Sequence, residues 1–149
     1  MSEIFKRLTV RDYREDDYEK VMLLWEETGL GGRVRGDNAA VLGETLRLGG
    51  KLLVGELNDG TIVGTSWMTF DGRRIHLHHV GVLPAYQRQG IGRLLSVESI
   101  RFAKEKNVQI KLEVHRENIA AIALYRSLGF HYLGDYDVYI IRDYASVNV

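Results

Sequence analysis

Apolar residues recur at helical spacing in four stretches of the chain, with polar residues filling the remaining positions. In residues 15–28, acidic residues come first, and the apolar side chains of Tyr18, Val21, Met22 and Trp25 then fall on one helix face. Three further helices are predicted: around 38–48, from about Gly90 to Lys106, and over residues 117–130 with Gly129 as the C-cap.

Period-two alternation and β-branched residues predict strands in the other stretches. These cover residues 4–10, 51–58, 61–70, 75–83, 108–115 and 131–144. Asp59-Gly60 and Asp71-Gly72 are strong turn signals, so three consecutive antiparallel strands are expected between residues 51 and 83. The strand, helix and strand that follow favour a parallel pair with a right-handed crossover. The expected fold class is mixed α/β or α+β, with one central, mostly antiparallel sheet flanked by helices.

Composition narrows the class of protein further. The 149 residues suit a single domain, residues 1–149, with a sizeable core. Lys+Arg and Asp+Glu both number 20, so the chain lacks the basic excess of a general nucleic-acid binder. It has no cysteine, which excludes disulfides, thiolate metal sites and a catalytic thiol. The start of the chain has no secretory pattern, and no stretch approaches the ~18 apolar residues of a membrane span. We therefore expect a cytoplasmic protein with neither nucleic acid nor membrane as partner.

A strand-to-helix turn carries the strongest chemical signal. In "HVGVLPAYQRQGIGRLL", residues 79–95, a strand stops at Pro84, and Gly90 and Gly92 open the next helix. Free amides and the partial positive charge of a helix start suit a phosphate, and side-chain-free glycine lets the phosphate approach. Arg88 and Arg93 add positive charge. Taken alone, the glycines also fit a tight turn that serves helix–sheet packing. The turn lacks the Gly-Lys-Ser/Thr of a P-loop and the third glycine of a dinucleotide fingerprint.

Two motifs carry a resemblance to a known family. "QRQGIG", residues 87–92, resembles the Q/R-x-x-G-x-G/A signature of the GNAT N-acetyltransferase superfamily, and like that signature it follows a strand and opens a helix. "NIAAIALYRSLGF", residues 118–130, is similar to the superfamily's second signature, with an Asn, a helical Leu-Tyr and a Gly-Phe. The order of elements from residue 4 to about 143 also resembles that of the family, so the resemblance covers nearly the whole chain.

The resemblance implies a cofactor site and an activity. The fourth and fifth strands would splay into a wedge that admits acetyl-CoA, whose pantetheine arm would pair with backbone near Val80 and Val82. The Val80 amide would bind the thioester oxygen, Asn118 would contact the arm, and Tyr125 would face the sulfur. The pyrophosphate would lie against Gln87, Arg88, Gln89, Gly90, Ile91, Gly92 and Arg93. The implied activity is acetyl transfer to a primary amine of a small molecule or peptide. A different acyl-CoA, or a non-catalytic CoA-binding regulatory module, are the alternatives, and homodimers are common among relatives.

Proton removal from the acceptor amine needs a base, and histidines are the first candidates. On a regular strand His76 and His78 share one face and His79 takes the other. "HLHHVGV" resembles the corresponding strand of the arylalkylamine N-acetyltransferases, in which a His-x-His pair serves a proton path through water. A polar strand face without a chemical role is the alternative. Glu113 is the second candidate base, because Lys111, Glu113 and His115 share the polar face of the next predicted strand. Many family members carry a glutamate where His76 stands, so the resemblance leaves the choice between these bases open. No third ligand accompanies the two histidines, so no metal is expected.

The remaining elements concern the acceptor and the type of reaction. The glycine-rich loop 29–37 is expected on the substrate side, where Arg33 and Arg35 could meet an acidic substrate, or it is a solvated mobile loop. Trp67 and Phe70 either line the acceptor pocket or pack in the core, and the same alternative applies to Tyr125. With no Gly-x-Ser-x-Gly motif and no cysteine, direct transfer in a ternary complex is favoured over an acetyl-enzyme.

Overall fold

The structure is a computed structural model that describes residues 3–149, and one five-stranded sheet forms its centre. The strands lie in chain order: β1 (Leu8–Asp12), β2 (Lys51–Leu57), β3 (Ile62–Phe70), β4 (Arg74–Val82) and β5 (Gln109–Leu112). Neighbours are antiparallel except β4 and β5, which are parallel. The mostly antiparallel sheet with one parallel pair is therefore confirmed.

Helices cover both faces of this sheet. They are α1 (Tyr18–Thr28), α2 (Ala39–Arg47), α3 (Ile91–Lys106) and α4 (Ile119–Ser127). All four correspond to helices predicted from apolar spacing. Local signals set the ends: the Asn38 side chain accepts a hydrogen bond from the Val41 amide at 3.0 Å at the start of α2, and Gly29 ends α1 with a φ of 70°. None of the helices in residues 3–149 combines the length and apolar character that crossing a bilayer requires.

Alternation along the strands produces two cores, one on each face of the sheet. On β2, Leu52 and Val54 face α1 and α2, whereas Leu53 faces α3. The α1–α2 core comprises Val21, Met22, Leu24, Trp25, Leu42, Leu52, Val54 and Ile62. The α3-side core comprises Ile4, Leu53, Leu57, Val63, Met68, Ile75, Leu77, Ile91, Leu95 and Ala103. Each fully buried Leu, Ile or Met contributes roughly 1.5–3 kcal/mol, so these two clusters hold the helices to the sheet.

Both predicted hairpins are present, and their side chains satisfy the turn backbone. Asp71 Oδ1 accepts hydrogen bonds from the amides of Arg73 and Arg74 at 2.7 and 2.6 Å. Gly72 has a φ of 92°, a left-handed conformation that glycine adopts without strain. These two local features bring β3 and β4 together.

The ends of the chain differ from the prediction. The first strand is β1, not residues 4–10, because residues 3–6 form a short 3₁₀ turn in which Ile4 is buried in the α3-side core. The strand predicted over residues 131–144 is wrong, since residues 131–143 form no strand in the structure. Tyr132 and Tyr139 in this segment are 79% and 92% exposed. An alternating pattern becomes a strand only where a sheet edge pairs with it.

Candidate active site

The fourth and fifth strands separate within the sheet. Their parallel pairing runs from Arg74 opposite Gln109 to Leu77 opposite Leu112, and there β5 ends. Strand β4 continues to Val82 and stays paired with β3 on its other side. Residues 78–82 of β4 are therefore unpaired on the β5 side, where the resemblance implied a wedge, and we call this unpaired side the wedge. Because β5 is shorter than the predicted 108–115, Glu113 and His115 lie beyond it and do not extend its polar face.

The backbone of β4 offers hydrogen-bonding groups to this wedge. The Leu83 amide donates to the Val63 carbonyl at 2.8 Å, toward β3. Amides along a strand alternate in direction, so those of Val82 and Val80 point to the opposite, open side. The Val82 carbonyl on that side accepts a hydrogen bond from Gln87 Nε2 at 2.9 Å. Val80 and Val82 thus present backbone to the wedge while their side chains pack on the α3-side core.

At the end of the wedge, the glycine turn places several backbone amides at the start of α3. Arg88 and Gly90 both have left-handed backbones, with φ of 62° and 91°. The first hydrogen bond of the helix joins the Leu94 amide to the Gly90 carbonyl at 3.0 Å, so the preceding amides lie outside the helical ladder. Such a concave group of amides at a positive helix end suits an anion.

The two glycines of this turn have different structural roles. A Cβ on Gly90 would lie 3.1 Å from the ring of Phe5, and its positive φ already disfavours any side chain. Gly92 has no positive φ, and a Cβ there would lie 3.8 Å from Val82 Cγ2, an ordinary contact. The fold therefore requires Gly90 but leaves room for a side chain at position 92.

The other side chains of the turn are divided between the core and the surface. Ile91 is buried in the α3-side core, so only its backbone faces outward. Arg93 Nη1 donates to Ser127 Oγ at 3.0 Å and so links α3 to α4. Arg88 and Gln89 are exposed.

Asn118 and Tyr125, the two residues of the second signature, lie at the start and within the last turns of helix α4. Asn118 begins the helix, and its Oδ1 accepts a hydrogen bond from the Ala121 amide at 3.3 Å. Tyr125 lies edge-on to Phe130, with ring centroids 5.6 Å apart, and packs against the α3-side core, as Val80 and Val82 do. Burial raises the pKa of the Tyr125 hydroxyl, so it stays protonated at neutral pH.

A bulge in β4 changes the arrangement of the histidines. Trp67 pairs with His79 and Met68 with Leu77, so His78 is an additional residue without a partner across the strands. The Trp67 ring therefore contacts both His78 and His79, at centroid distances of 4.8 and 5.6 Å. The prediction that His79 takes the opposite face is wrong, because the bulge interrupts the alternation.

These histidines belong to a row of stacked rings on the α1–α2 side of the sheet. His76 and His78 stack at 4.5 Å with planes 7° apart, and Trp67 stacks on Trp25 at 5.2 Å. His78 Nε2 lies 2.7 Å from Thr69 Oγ1. His76 and His78 thus lie together on one face, as predicted.

Burial keeps the imidazoles neutral. It is the main cause of a lowered pKa at all three positions, to about 4 for His78 and His79. A neighbouring histidine lowers the pKa of His78 and of His79 further, and Arg35 adds to the effect on His79. The negative charge of Glu113 raises the pKa of His76, which indicates that these two candidate bases lie near each other. Neutral rings at pH 7 can accept a proton, although their low pKa makes them weak bases.

The buried His79 leads to a stability prediction. Both of its ring nitrogens are buried without a hydrogen-bond partner among residues 3–149. Unfolded His79 binds a proton below about pH 6.5, whereas the folded ring resists protonation down to about pH 4. The free energy of unfolding should therefore fall as the pH is lowered from 7 to 5, by about 2 kcal/mol for this residue.

Denaturant titrations at pH 7 and pH 5 would measure this difference. The variant His79→Phe keeps a planar ring against Trp25, and its loss of stability between the two pH values should be smaller by that amount. The same change at the exposed His131 should leave the wild-type difference intact. An undiminished difference in His79→Phe would contradict the assignment.

A cavity of about 570 Å³ opens beside the stacked rings, between α2 and strands β3 and β4. Trp67, Phe70 and His78 form part of its lining, with apolar residues of α2 opposite them. The indole of Trp67 is held by a hydrogen bond from Nε1 to Thr45 Oγ1 at 3.1 Å. Trp67 and Phe70 line this cavity and also pack against the two cores, so the structure does not choose between the alternatives that the sequence left open.

The loop 29–37 lies against β4 next to this cavity. A Cβ on Gly81 would meet Leu30 Cδ1 at 2.5 Å, so the loop packs directly on the strand beside Val80. The buried Asp37 carboxylate accepts a hydrogen bond from the Gly32 amide at 2.8 Å. Internal hydrogen bonds therefore hold the loop, and residues 33–35 form a 3₁₀ turn.

Sequence reasoning did not identify Thr69, Gly81 or the burial of His79. A glycine inside a strand pattern, as in Val80-Gly81-Val82, indicates a close backbone approach and could have marked the contact with the loop. The bulge has no such local signal. Within residues 3–149, no three His, Asp or Glu side chains are grouped as a metal site would need.

Comparisons with known proteins agree with this geometry. The model of the acetyltransferase (GNAT) family matches residues 5–130. N-alpha-acetyltransferase RimI of Mycobacterium tuberculosis is 45% identical over 85 residues, which are 54% of this chain and about half, 52%, of that protein. An acetyltransferase of Yersinia pestis is 31% identical over 125 residues, 83% of this chain and 87% of that one. The structure of a putative acetyltransferase from Salmonella typhimurium with its cofactor acetyl-CoA has a TM-score of 0.71 and 25% identity, and the match covers 83% of this chain and 79% of that one.

Proposed function

Since the chain belongs to the acetyltransferase (GNAT) family, we propose that it transfers an acetyl group from acetyl-CoA directly to the primary amine of a small molecule or peptide. One observation carries the proposal: the open side of β4 leads to the glycine turn at the start of α3. An extended pantetheine arm needs strand backbone, and a pyrophosphate needs amides and positive charge. The backbone at Val82 is free to pair with the arm, and the turn that contains Arg88 follows directly and offers the amides and the charge.

Acetyl-CoA supplies the acetyl group in a form already activated as a thioester. In the proposed complex, Val80 and Val82 hold the arm through their backbone, and the pyrophosphate lies against residues 87–93. Asn118 uses its oxygen to cap α4, so its amide nitrogen is the group that would reach the arm. Arg88 is exposed and adds positive charge at the amides of the turn.

The transfer makes a nitrogen–carbon bond and breaks the carbon–sulfur bond. In the proposed reaction, the Val80 amide donates a hydrogen bond to the thioester oxygen as negative charge develops there. The acceptor is an ammonium group at pH 7 and loses two protons on the way to the amide. The neutral rings of His76 and His78 take the first through solvent before attack. The second leaves the nitrogen as the intermediate collapses and replaces, through solvent, the proton that goes to the sulfur. Tyr125 is the proposed donor of a proton to the departing sulfur. Because the chain has no cysteine, no thiol can hold the acetyl group between two steps.

Release of CoA in the presence of different amines tests the proposal. We expect release from acetyl-CoA to increase with a suitable amine above the rate without acceptor. The amine panel should contain amino acids, arylalkylamines, polyamines and peptides with free N-termini. Faster release from longer acyl-CoA esters would indicate that the enzyme transfers a longer acyl group than acetyl. Binding of acetyl-CoA without any amine-dependent release would favour a regulatory CoA-binding module.

If His76 and His78 carry the acceptor's proton, changing both to Gln should reduce the rate most below about pH 8. An alkylamine with a pKa near 10 is only about 0.1% neutral at pH 7, so removing its proton limits the reaction there. Raising the pH supplies neutral amine and should restore part of the rate. The measurement is kcat/KM from pH 6.5 to pH 9.5.

Two other outcomes are informative. A loss of equal size at every pH would mean that the two rings position the acceptor without moving a proton. An unchanged rate, together with a pH-dependent loss in Glu113→Gln, would transfer the role to Glu113, which lies near His76. The variant His131→Gln removes an exposed histidine and serves as the control, whose rate should stay that of the wild type.

A further inference from the structure

We propose that Arg35 binds a carboxylate on the acceptor, so that the preferred acceptor is a small amino carboxylate such as a free amino acid and not a polyamine. The inference rests on the proposed acetyl transfer and specifies its substrate class. It is carried by the difference between the two arginines of the loop, the position of the loop on β4, and the charges of the adjacent cavity.

The two arginines of the loop have different surroundings. Arg33 forms ion pairs with Glu19 at 2.9 Å and Glu26 at 3.4 Å, and its guanidinium lies 5.5 Å from the centre of the Tyr18 ring. Arg35 is exposed and has no ion pair or hydrogen bond to its guanidinium within residues 3–149. Arg33 is therefore neutralised on the outer side of α1, and Arg35 is left as a cation able to bind an anion.

The loop that carries Arg35 packs on β4 next to the bulge. Leu30 packs on Gly81 before the 3₁₀ turn, and Asp37 binds the Gly32 amide after it, so both ends of the turn are held. The charge of Arg35 acts on the His79 ring, one residue before Val80. The packing of Leu30 on Gly81 thus holds this loop, and Arg35 with it, near the part of β4 where the acceptor amine would meet the thioester.

The cavity beside the stacked rings offers no free negative charge to a second ammonium group. Glu44 is the acidic residue of its lining, and both its carboxylate oxygens are bound by Arg47 at 2.8 Å. A polyamine in this cavity would thus find no unpaired carboxylate for its second ammonium group. An amino carboxylate would instead place its anion at Arg35 and an apolar side chain against Trp67. The volume of about 570 Å³ leaves room for such a side chain.

Matched pairs of acceptors give the sharpest test. Phenylalanine and leucine are compared with phenethylamine and isopentylamine, which lack only the carboxylate, and with spermidine. A charge-assisted hydrogen bond to a carboxylate should favour the amino acid by roughly 10- to 100-fold in kcat/KM. In Arg35→Gln this ratio should fall toward one, mainly through a higher KM, while the dissociation constant of acetyl-CoA stays that of the wild type. In Arg33→Gln the ratio should stay at the wild-type value.

Several outcomes would overturn the inference. These are a wild-type ratio near one, an unchanged ratio in Arg35→Gln, or a preference for spermidine or for peptides with free N-termini. Calorimetry with N-acetylphenylalanine and N-acetylphenethylamine, in the presence of CoA, repeats the comparison without turnover. If no amine is acetylated, the proposed function fails, whereas the calorimetric preference and its loss in Arg35→Gln still decide whether Arg35 binds the carboxylate.

Discussion

Tyr125→Phe is expected to turn over ~10²–10⁴-fold more slowly than the wild type, with nearly the same affinity for acetyl-CoA. The departing thiolate is basic, with a thiol pKa of about 8.5 by analogy with cysteine. Burial raises the pKa of Tyr125, so its hydroxyl remains protonated and able to donate. The hydroxyl acts mainly as negative charge develops on sulfur, and its loss should therefore appear in kcat more than in binding.

Phenylalanine at position 125 keeps the edge-on contact with Phe130, so the fold should be unaffected. Steady-state kinetics and the dissociation constant of acetyl-CoA would be measured side by side. Tyr132→Phe is a matched control, because Tyr132 is 79% exposed. If Tyr125 serves only to fill the core, its variant will keep a kcat within about twofold of the wild type, and the role as acid is then rejected.

Gly92→Val is expected to lose most of the thermal stabilisation that acetyl-CoA gives to the wild type. At a ligand concentration of about 100 Kd, binding to the native state alone adds about 2.7 kcal/mol. For a domain of this size, that corresponds to roughly 5–10 °C in Tm. The valine methyl groups would occupy the space at the helix start into which the pyrophosphate must come. Scanning calorimetry with and without acetyl-CoA measures the shift.

Position 92 suits this test better than position 90. The backbone of Gly92 accepts a side chain and the nearest atom to its Cβ is 3.8 Å away, whereas Gly90 would be strained and would press on Phe5. Gly43→Val is the matched control: Gly43 lies in α2, and nothing lies within 4 Å of its Cβ position. It should keep the full shift. A full shift in Gly92→Val as well would remove the proposed phosphate site from the turn.

The sequence by itself predicted elements whose hydrogen bonds join residues near each other in the chain. The apolar spacing around Trp25 predicted α1, and Asp71-Gly72 predicted the hairpin of β3 and β4. In each case the side chain or turn that determines the structure lies within a few residues of the backbone it satisfies. The four helices and the three antiparallel strands could therefore be predicted locally.

The prediction of a cofactor site came from motifs and not from periodicity. Glycines opening a helix after a strand suggest an anion site, but only the resemblance implied that this strand also borders a wedge. The wedge exists because β5 stops at Leu112 while β4 continues to Val82. Where two strands about thirty residues apart stop pairing depends on contacts that no short stretch of sequence contains.

Tertiary structure alone decided the arrangement of the histidines, the surroundings of the loop arginines and the conformation of residues 131–143. One additional residue in β4 opposite Trp67 placed His79 on the face of His78, and the partners Glu19 and Glu26 separated Arg33 from Arg35. Residues 131–143 carry a strand-like pattern, yet they pair with no strand in the structure. The sequence pattern indicates which residues are able to pair in a sheet or to be buried. The register of the neighbouring strand, and the charges that folding brings close, determine which residues actually pair or are buried.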